Sequence, residues 1–403
     1  VESKIIRLEN SYQHYDWGTD SDIAKILGIS APAGNLPLAE LWVGAHPNLP
    51  SFAAEYNLPL DQLIEQNPQA ILGQYSQMMA NKLPYLFKIL SAKQALSIQV
   101  HPSKAQAEIG FKLEQQAGIK TTDKNCNYKD DNHKPELIYA LTHFSAMAGF
   151  RPVQQMTQAL AKLDVELFTP WCNKLFAATE QSQSIQLQVV EEFYSWLLYL
   201  EQEPLELACA QAVAHAKKSA ATDVELYWLI ELYSIYGVDS GIFFPLILNL
   251  IVLQPGQAIF LGAGCPHAYL QGTGIEVMAN SDNVLRGGLT QKFMDRQELI
   301  KVTRYDSAAN NIQVQQLSRD EREHTFDVPV PDFQLQLLNL VDDEFVCGQS
   351  GSAELYFVVK GSVQIDGQNF TNGQAFLLPA SVNGLTLSGK ATLARVYTQL
   401  HLN

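Results

Sequence analysis

The stretch LILNLIVLQPGQAIFLGAGCPHAYLQGTGIEVMAN, Leu246 to Asn280, interrupts its apolar residues every few positions with Pro-Gly or Gly-x-Gly. A helix tolerates this poorly, since each interior glycine costs about 1 kcal/mol and a proline about 3. Short antiparallel strands joined by tight turns accommodate it. The same rhythm returns from Phe333 onward, notably in LYFVVKGSVQIDGQNFTNGQAFLLPAS, where Asp-Gly and Asn-Gly separate the apolar pieces. Small β-sandwiches or jelly rolls follow from both. The segments PGQAIFLGAGCPHAY and NGQAFLLPASVNG also resemble each other, each with a Gly-Gln-Ala turn, an apolar strand and a proline. Only the first presents a histidine, His267. Two related β-domains are therefore expected, the second being structural or shielding the first.

Between Gln154 and about Ile235 the period changes. QQMTQALAKL, EEFYSWLLYL and DVELYWLIELYSIY carry apolar residues at helical spacing, which predicts four to six helices. The fold class is thus mainly β with a helical insertion. The expected domains are 1–150 with 241–325 as one β-domain, 151–240 as the helical domain and 326–403 as the C-terminal β-domain. Smaller signals are a strand at LSIQV (96–100), a helix over 103–117, a short helix over 60–66, and a capping box from Asp295 to Glu298.

Composition bounds the function. Of 403 residues, 47% are hydrophobic and 17% charged, as in a folded globular chain. A formal net charge of -15 argues against broad contact with nucleic acid or an anionic membrane. No apolar run is long enough to span a bilayer, and VESKIIRLEN does not read as a signal peptide. Five scattered cysteines without a CxxC pair suit a reducing cytoplasm. No coiled-coil heptad appears, so a monomer is expected, with a weak homodimer as the alternative.

Three short segments carry candidate chemistry. Gln99 and His101 stand two apart on an alternating strand, so both side chains share one face. NHKPE sets Lys134 and Glu136 around Pro135 at a strand start, where an ordinary solvated turn is the competing reading. In CPHAY, Pro266 stiffens the approach to His267. One amide, two imidazoles and a carboxylate are chemically sensible for a borderline metal with an open position, although an amide ligand is unusual and first principles alone do not single out Gln99.

The chain resembles type I mannose-6-phosphate isomerases over nearly its whole length. The matching strings are YDWG (15–18), AELWVGAHP (39–47), LPYLFKIL (83–90), LSIQVHPS (96–103), NYKDDNHKPEL (127–137), PHAYLQG (266–272) and EVMANSDNVLRGGLTQKF (276–293). Asp16 and Cys265 depart from the family's usual residues, and neither replaces a ligand. The resemblance implies two cupin-like β-domains, the first catalytic and interrupted by the helices. It implies one zinc ion per chain, held by Gln99, His101, Glu136 and His267. It also implies interconversion of mannose 6-phosphate and fructose 6-phosphate through an enediol(ate), with a phosphorylated hexose as partner and Arg286 as a catalytic cation.

The base stays open among Glu276, Asp282, His101 and Lys134, with His101 and Asp282 as a possible pair. Phosphate and sugar contacts are expected from Lys88, Ser103, Lys134, Arg286 and Lys292, and Trp17 is expected at the pocket mouth. The rival readings are an isomerase for another phosphorylated sugar and a sugar-phosphate-binding protein without catalysis. A cupin oxygenase is disfavoured, because the chain lacks a compact motif of histidines and an acid.

Overall fold

The strand His267–Ala279 organises the first β-domain. In a computed structural model, which describes residues 5–30, 36–74, 76–306, 312–317 and 321–399, it serves two sheet faces. Its start lies against Phe144–Phe150, with His267 opposite Ala148 on one side and Gln99 on the other. From Gly272 to Ala279 it pairs with Tyr85–Ala92, while Gly274 to Met278 also pair with Glu136–Ala140. The change of partners falls at a bulge between Tyr269 and Gln271. It is completed at Gly272, whose φ is 128° and where a Cβ would lie 2.5 Å from the His143 carbonyl oxygen. The glycines of QGTG therefore bend one long strand instead of separating two short ones.

Eleven of the described strands join into this folded-over sheet, and a period of two sorts their side chains. Leu41, Val43, Phe87, Ile89, Val277 and their neighbours face the C-terminal sheet. Glu40, Lys88, Glu136 and Glu276 turn to the opposite, concave side.

In the C-terminal domain, Leu385–Tyr397 lies between Gln334–Cys347 and Glu354–Ile365. This nine-stranded sheet also takes in Ile6–Glu9, which pairs with Ala375–Leu378, and then Phe52–Ala53. By pairing, these early strands belong to the C-terminal sheet, although the sequence boundaries group them with the catalytic domain. A four-residue strand without a hairpin partner carries no signal of which sheet it will cover. The two sheets share a core. The Phe87 and Phe357 rings are 5.0 Å apart, and the Tyr85 hydroxyl donates to the Val396 carbonyl at 3.0 Å.

The insertion forms five α-helices, Val153–Ala161, Thr169–Ala178, Gln183–Leu198, Gln202–Ala216 and Val224–Tyr236. Their core continues onto Ile98, Val100, Met147 and Leu285, behind the strands that carry the site. Leu60–Gln66 and Lys104–Gln116 are helical. Asp295 caps Arg296–Val302 by accepting the Glu298 N–H at 3.0 Å. No described helix is long and apolar enough to cross a membrane.

Candidate active site

His101 follows the strand Ile98–Val100, Glu136 opens Glu136–Ala140, and His267 opens His267–Ala279. Their ligand atoms lie within 4.8 Å of one another, and all three side chains are buried. His101 Nε2 is 3.2 Å from one Glu136 carboxylate oxygen and His267 Nε2 is 3.3 Å from the other. On each ring Nδ1 meets a backbone carbonyl, that of Asn283 at 2.7 Å for His101 and that of Cys265 at 2.9 Å for His267. A carbonyl only accepts, so Nδ1 carries the proton and Nε2 presents its lone pair. Burial, and then the ammonium of Lys134, lower the His101 pKa to about 4, which keeps the imidazole neutral. Two imidazole lone pairs and a carboxylate converging in a buried space favour a cation among them. Backbone-anchored imidazoles beside a carboxylate are the donor set of a metal centre.

Gln99 lines the same cleft, in register with His267 on one strand and Arg286 on another. Lys134 bonds the Glu136 carboxylate and stands 3.5 Å from His101 Nε2. The Tyr269 hydroxyl donates to the other Glu136 oxygen at 3.1 Å. Cys265 is a bystander through its thiol, which burial pushes up to about 12, and a participant through its carbonyl.

Beyond the metal cluster the concave face holds a second polar group. Lys88 Nζ is 3.0 Å from Glu276 and 3.6 Å from Glu40. The Trp42 indole N–H donates to Glu40 at 2.7 Å, and the Lys88 ammonium lies 5.0 Å from the Trp42 ring centre. Burial disfavours charge on Lys88, but Glu276 and Glu40 outweigh it and hold the ammonium's pKa above its usual value. Burial raises Glu276, only partly offset by Lys88. These groups line one cleft together with Gln99, His267 and Tyr269.

Arg286 and Lys292 are adjacent cations. Burial lowers both, and Arg286 lowers Lys292 further. Among the described residues no acid or carbonyl engages either side chain. Ser103 caps Lys104–Gln116, accepting the Gln106 N–H at 3.3 Å, so its hydroxyl proton is not used by the cap. Trp17 is half-buried against the barrel interior and stacks on Tyr15 at 5.5 Å. The Asp282 carboxylate meets His46 and Asn48, whereas both nitrogens of His101 are engaged elsewhere, so the structure does not join the expected His101–Asp282 pair. Sequence reasoning passed over Glu40, Trp42, His46 and Tyr269. The alternation in ELWVG marks Glu40 and Trp42 as one face, but only strand register brings that face to Lys88.

A jelly-roll barrel with a buried His–Glu–His cluster, backed by a second jelly-roll sheet, defines a metal-binding cupin. Residues 5–153 match the family model for the phosphomannose isomerase type I catalytic domain, and residues 322–398 match that for the mannose-6-phosphate isomerase cupin domain. The mannose-6-phosphate isomerase of Escherichia coli K12 is 38% identical over 403 residues, covering 98% of this chain and 100% of that one. Crystal structures of a mannose 6-phosphate isomerase bound with zinc and yttrium, and of the apo form from Salmonella typhimurium, superpose with TM-scores of 0.86. Each is 36% identical in sequence and covers 99% of this chain and 100% of the other. The chain belongs to the type I mannose-6-phosphate isomerase family.

Proposed function

We propose that this chain interconverts D-mannose 6-phosphate and D-fructose 6-phosphate through an enediol(ate). One zinc ion per chain would be held by Gln99, His101, Glu136 and His267. The observation that carries this reading is the convergence, on one concave face, of the imidazole–carboxylate cluster with the Lys88–Glu276 pair. When bound, the ion would supply Lewis-acid polarisation of the substrate carbonyl.

The protein's own groups move the protons. Glu276 takes the proton from C2 of the open-chain aldose. The C2–H electron pair forms the C1–C2 double bond, and the carbonyl π pair moves to O1. Lys134 gives O1 a proton and regains one from the O2 hydroxyl as the C2 carbonyl forms. Glu276 then returns its proton to C1. A carboxyl raised by burial suits a base that must give its proton back, and Lys88 holds it in place. Asp282, at the rim, takes the anomeric hydroxyl proton as the C1–O5 bond breaks and the C1 carbonyl forms, and returns that proton to the ring oxygen. Arg286 and Lys292 receive the phosphate as charge-assisted donors, with Ser103 as a hydroxyl donor and Trp17 at the mouth. Arg286, in register with Gln99, also faces the charge that develops on the enediolate.

The domain division at 150, 240 and 325 belongs to the same reading, with the first β-domain catalytic. So do a monomeric state, a cytoplasmic location and the absence of nucleic-acid or membrane partners. The test is an assay of mannose 6-phosphate turnover coupled to fructose 6-phosphate detection, before and after chelation and zinc restoration. Activity lost with the chelator and regained with zinc is expected. No turnover in zinc-loaded protein would overturn the substrate assignment and favour another sugar phosphate, or binding alone.

A further inference from the structure

Asp282 is gripped by a distant part of the chain. His46 Nε2 faces its Oδ1 at 3.4 Å, and Asn48 Nδ2 donates to its Oδ2 at 2.8 Å. His46 is buried, with 2% of its side chain exposed against 40% for Asp282, and the proton transfers described above give it no task. Its Nδ1 accepts the backbone N–H of Asn48 at 3.3 Å. An accepting Nδ1 puts the ring proton on Nε2, the nitrogen turned toward Asp282.

The ring cannot swing freely. It packs edge-on against Trp42, with centroids 4.9 Å apart and planes at 79°, and Trp42 is tied to Glu40. The Asp282 backbone is anchored separately. Its N–H donates to Asp130 Oδ2 at 2.8 Å, and the neighbouring Ser281 hydroxyl donates to Oδ1 of the same aspartate at 2.7 Å. Taking away His46 would leave the Asp282 carboxylate held on one oxygen only, by Asn48, with its backbone still in place.

We propose that His46 is a positioning residue whose imidazole Nε2–H fixes the rotamer in which Asp282 meets the sugar. This rests on the ring-opening role given to Asp282. A separation of 3.4 Å is long for a hydrogen bond, and such contacts tighten when substrate binds. The electrostatics point the same way. Burial pushes the Asp282 carboxyl up, but His46, Lys134 and Lys88 outweigh it and hold the pKa below the usual carboxylate range. Tyr15 and Asp130, whose carboxylate accepts the Asp282 N–H, are further titratable neighbours. Without His46 the carboxyl rises, and the acid limb of the kcat profile moves to higher pH.

The experiment compares zinc-loaded full-length protein carrying His46→Ala, His46→Gln, Asp282→Asn, and each His46 change combined with Asp282→Asn. The readouts are kcat, KM, bound zinc and the pH profile. His46→Ala is expected to lower kcat about ten-fold through lost orientation, with KM and zinc content kept and the acid limb displaced upward. His46→Gln, whose amide still offers an N–H, is expected to recover most of the loss. On the Asp282→Asn background neither change should cost anything further. An equal loss on both backgrounds would show a general structural role and overturn the proposal, as would unchanged kcat in His46→Ala. If His46→Ala fails to fold, the cycle between His46→Gln and Asp282→Asn decides: an additive loss sinks the proposal and a masked loss supports it. Full activity in Asp282→Asn alone would instead remove the role of Asp282, and the proposal would fall with it for that separate, visible reason.

Discussion

The Lys134 ammonium and the Tyr269 hydroxyl each bond one oxygen of Glu136, and together they orient this carboxylate. Tyr269→Phe keeps the ring and removes one of these bonds. It is expected to weaken metal affinity about ten-fold, read by competition with a chromophoric chelator. Glu276→Gln tests a different property, since an amide cannot accept the C2 proton. It is expected to lower kcat by about 10²–10⁴-fold with little change in KM. Exchange of solvent deuterium into the recovered sugar should fall in parallel, and undiminished exchange would point to another base.

The C-terminal sandwich holds a buried ion pair, Glu354 with Arg395. Glu354 accepts from Arg395 Nε at 3.1 Å and from the backbone N–H groups of Gly348, Gln349 and Ser350. Burial works against its charge, but Arg395 outweighs that and holds the carboxyl below its ordinary value. Glu354→Gln leaves the guanidinium buried without its charge partner and should cost about 3–5 kcal/mol in urea unfolding at pH 7. Because the folded-state pKa is depressed, this stabilisation is full above the unfolded value near 4.5. It is lost as pH falls through the folded value, since the unfolded chain then binds the proton more readily. The gap between wild type and Glu354→Gln should therefore close on acidification below about pH 4.5, given ordinary Glu behaviour in the unfolded chain.

Elements of this kind also separate what the sequence displays from what it conceals. Capped helices and alternating strands are local, so Leu60–Gln66, the Asp295 cap and the strand through Gln99 can be read from neighbouring residues. The β character of the segment from 246 to 280 follows from its turns. That Gly272 bends a strand without ending it does not, because its cause is the His143 carbonyl of another strand. The same limit applies to the site. His101, Glu136 and His267 each sit in a recognisable string, and the resemblance to a known family joins them. Glu40, Lys88 and Glu276 meet only through the registers of three strands, a non-local quantity. His46 gave no sign of its partner for the same reason.

At the scale of the whole molecule, the core between the two sheets ties catalysis to a domain none of whose described residues lines the cleft. Phe87 points into that core while the next residue, Lys88, points into the site. Phe357→Ala should cost about 3–5 kcal/mol as a large-to-small core change. Combined with Phe87→Ala, the loss should fall short of the sum by about 0.5–1.5 kcal/mol if the ring pair contributes beyond its buried area. Thermal unfolding followed by near- and far-ultraviolet dichroism should show one coincident transition. Two separated transitions would mean that the sheets unfold independently.

The seat of Ile6–Glu9 in the C-terminal sheet bears on the time at which the molecule can be finished. Ile6 leaves the ribosome long before its partner Leu377, with all the residues between them still to be made. At about 5–20 residues per second, that wait is on the order of 20 to 75 s. Throughout it the strand and its neighbour Phe52–Ala53 lack the sheet edge they are built to cover, and they are open to pairing with other chains. Slowing translation should lengthen this exposure and lower the soluble yield, whereas a chaperone that shields the nascent N-terminus should restore it.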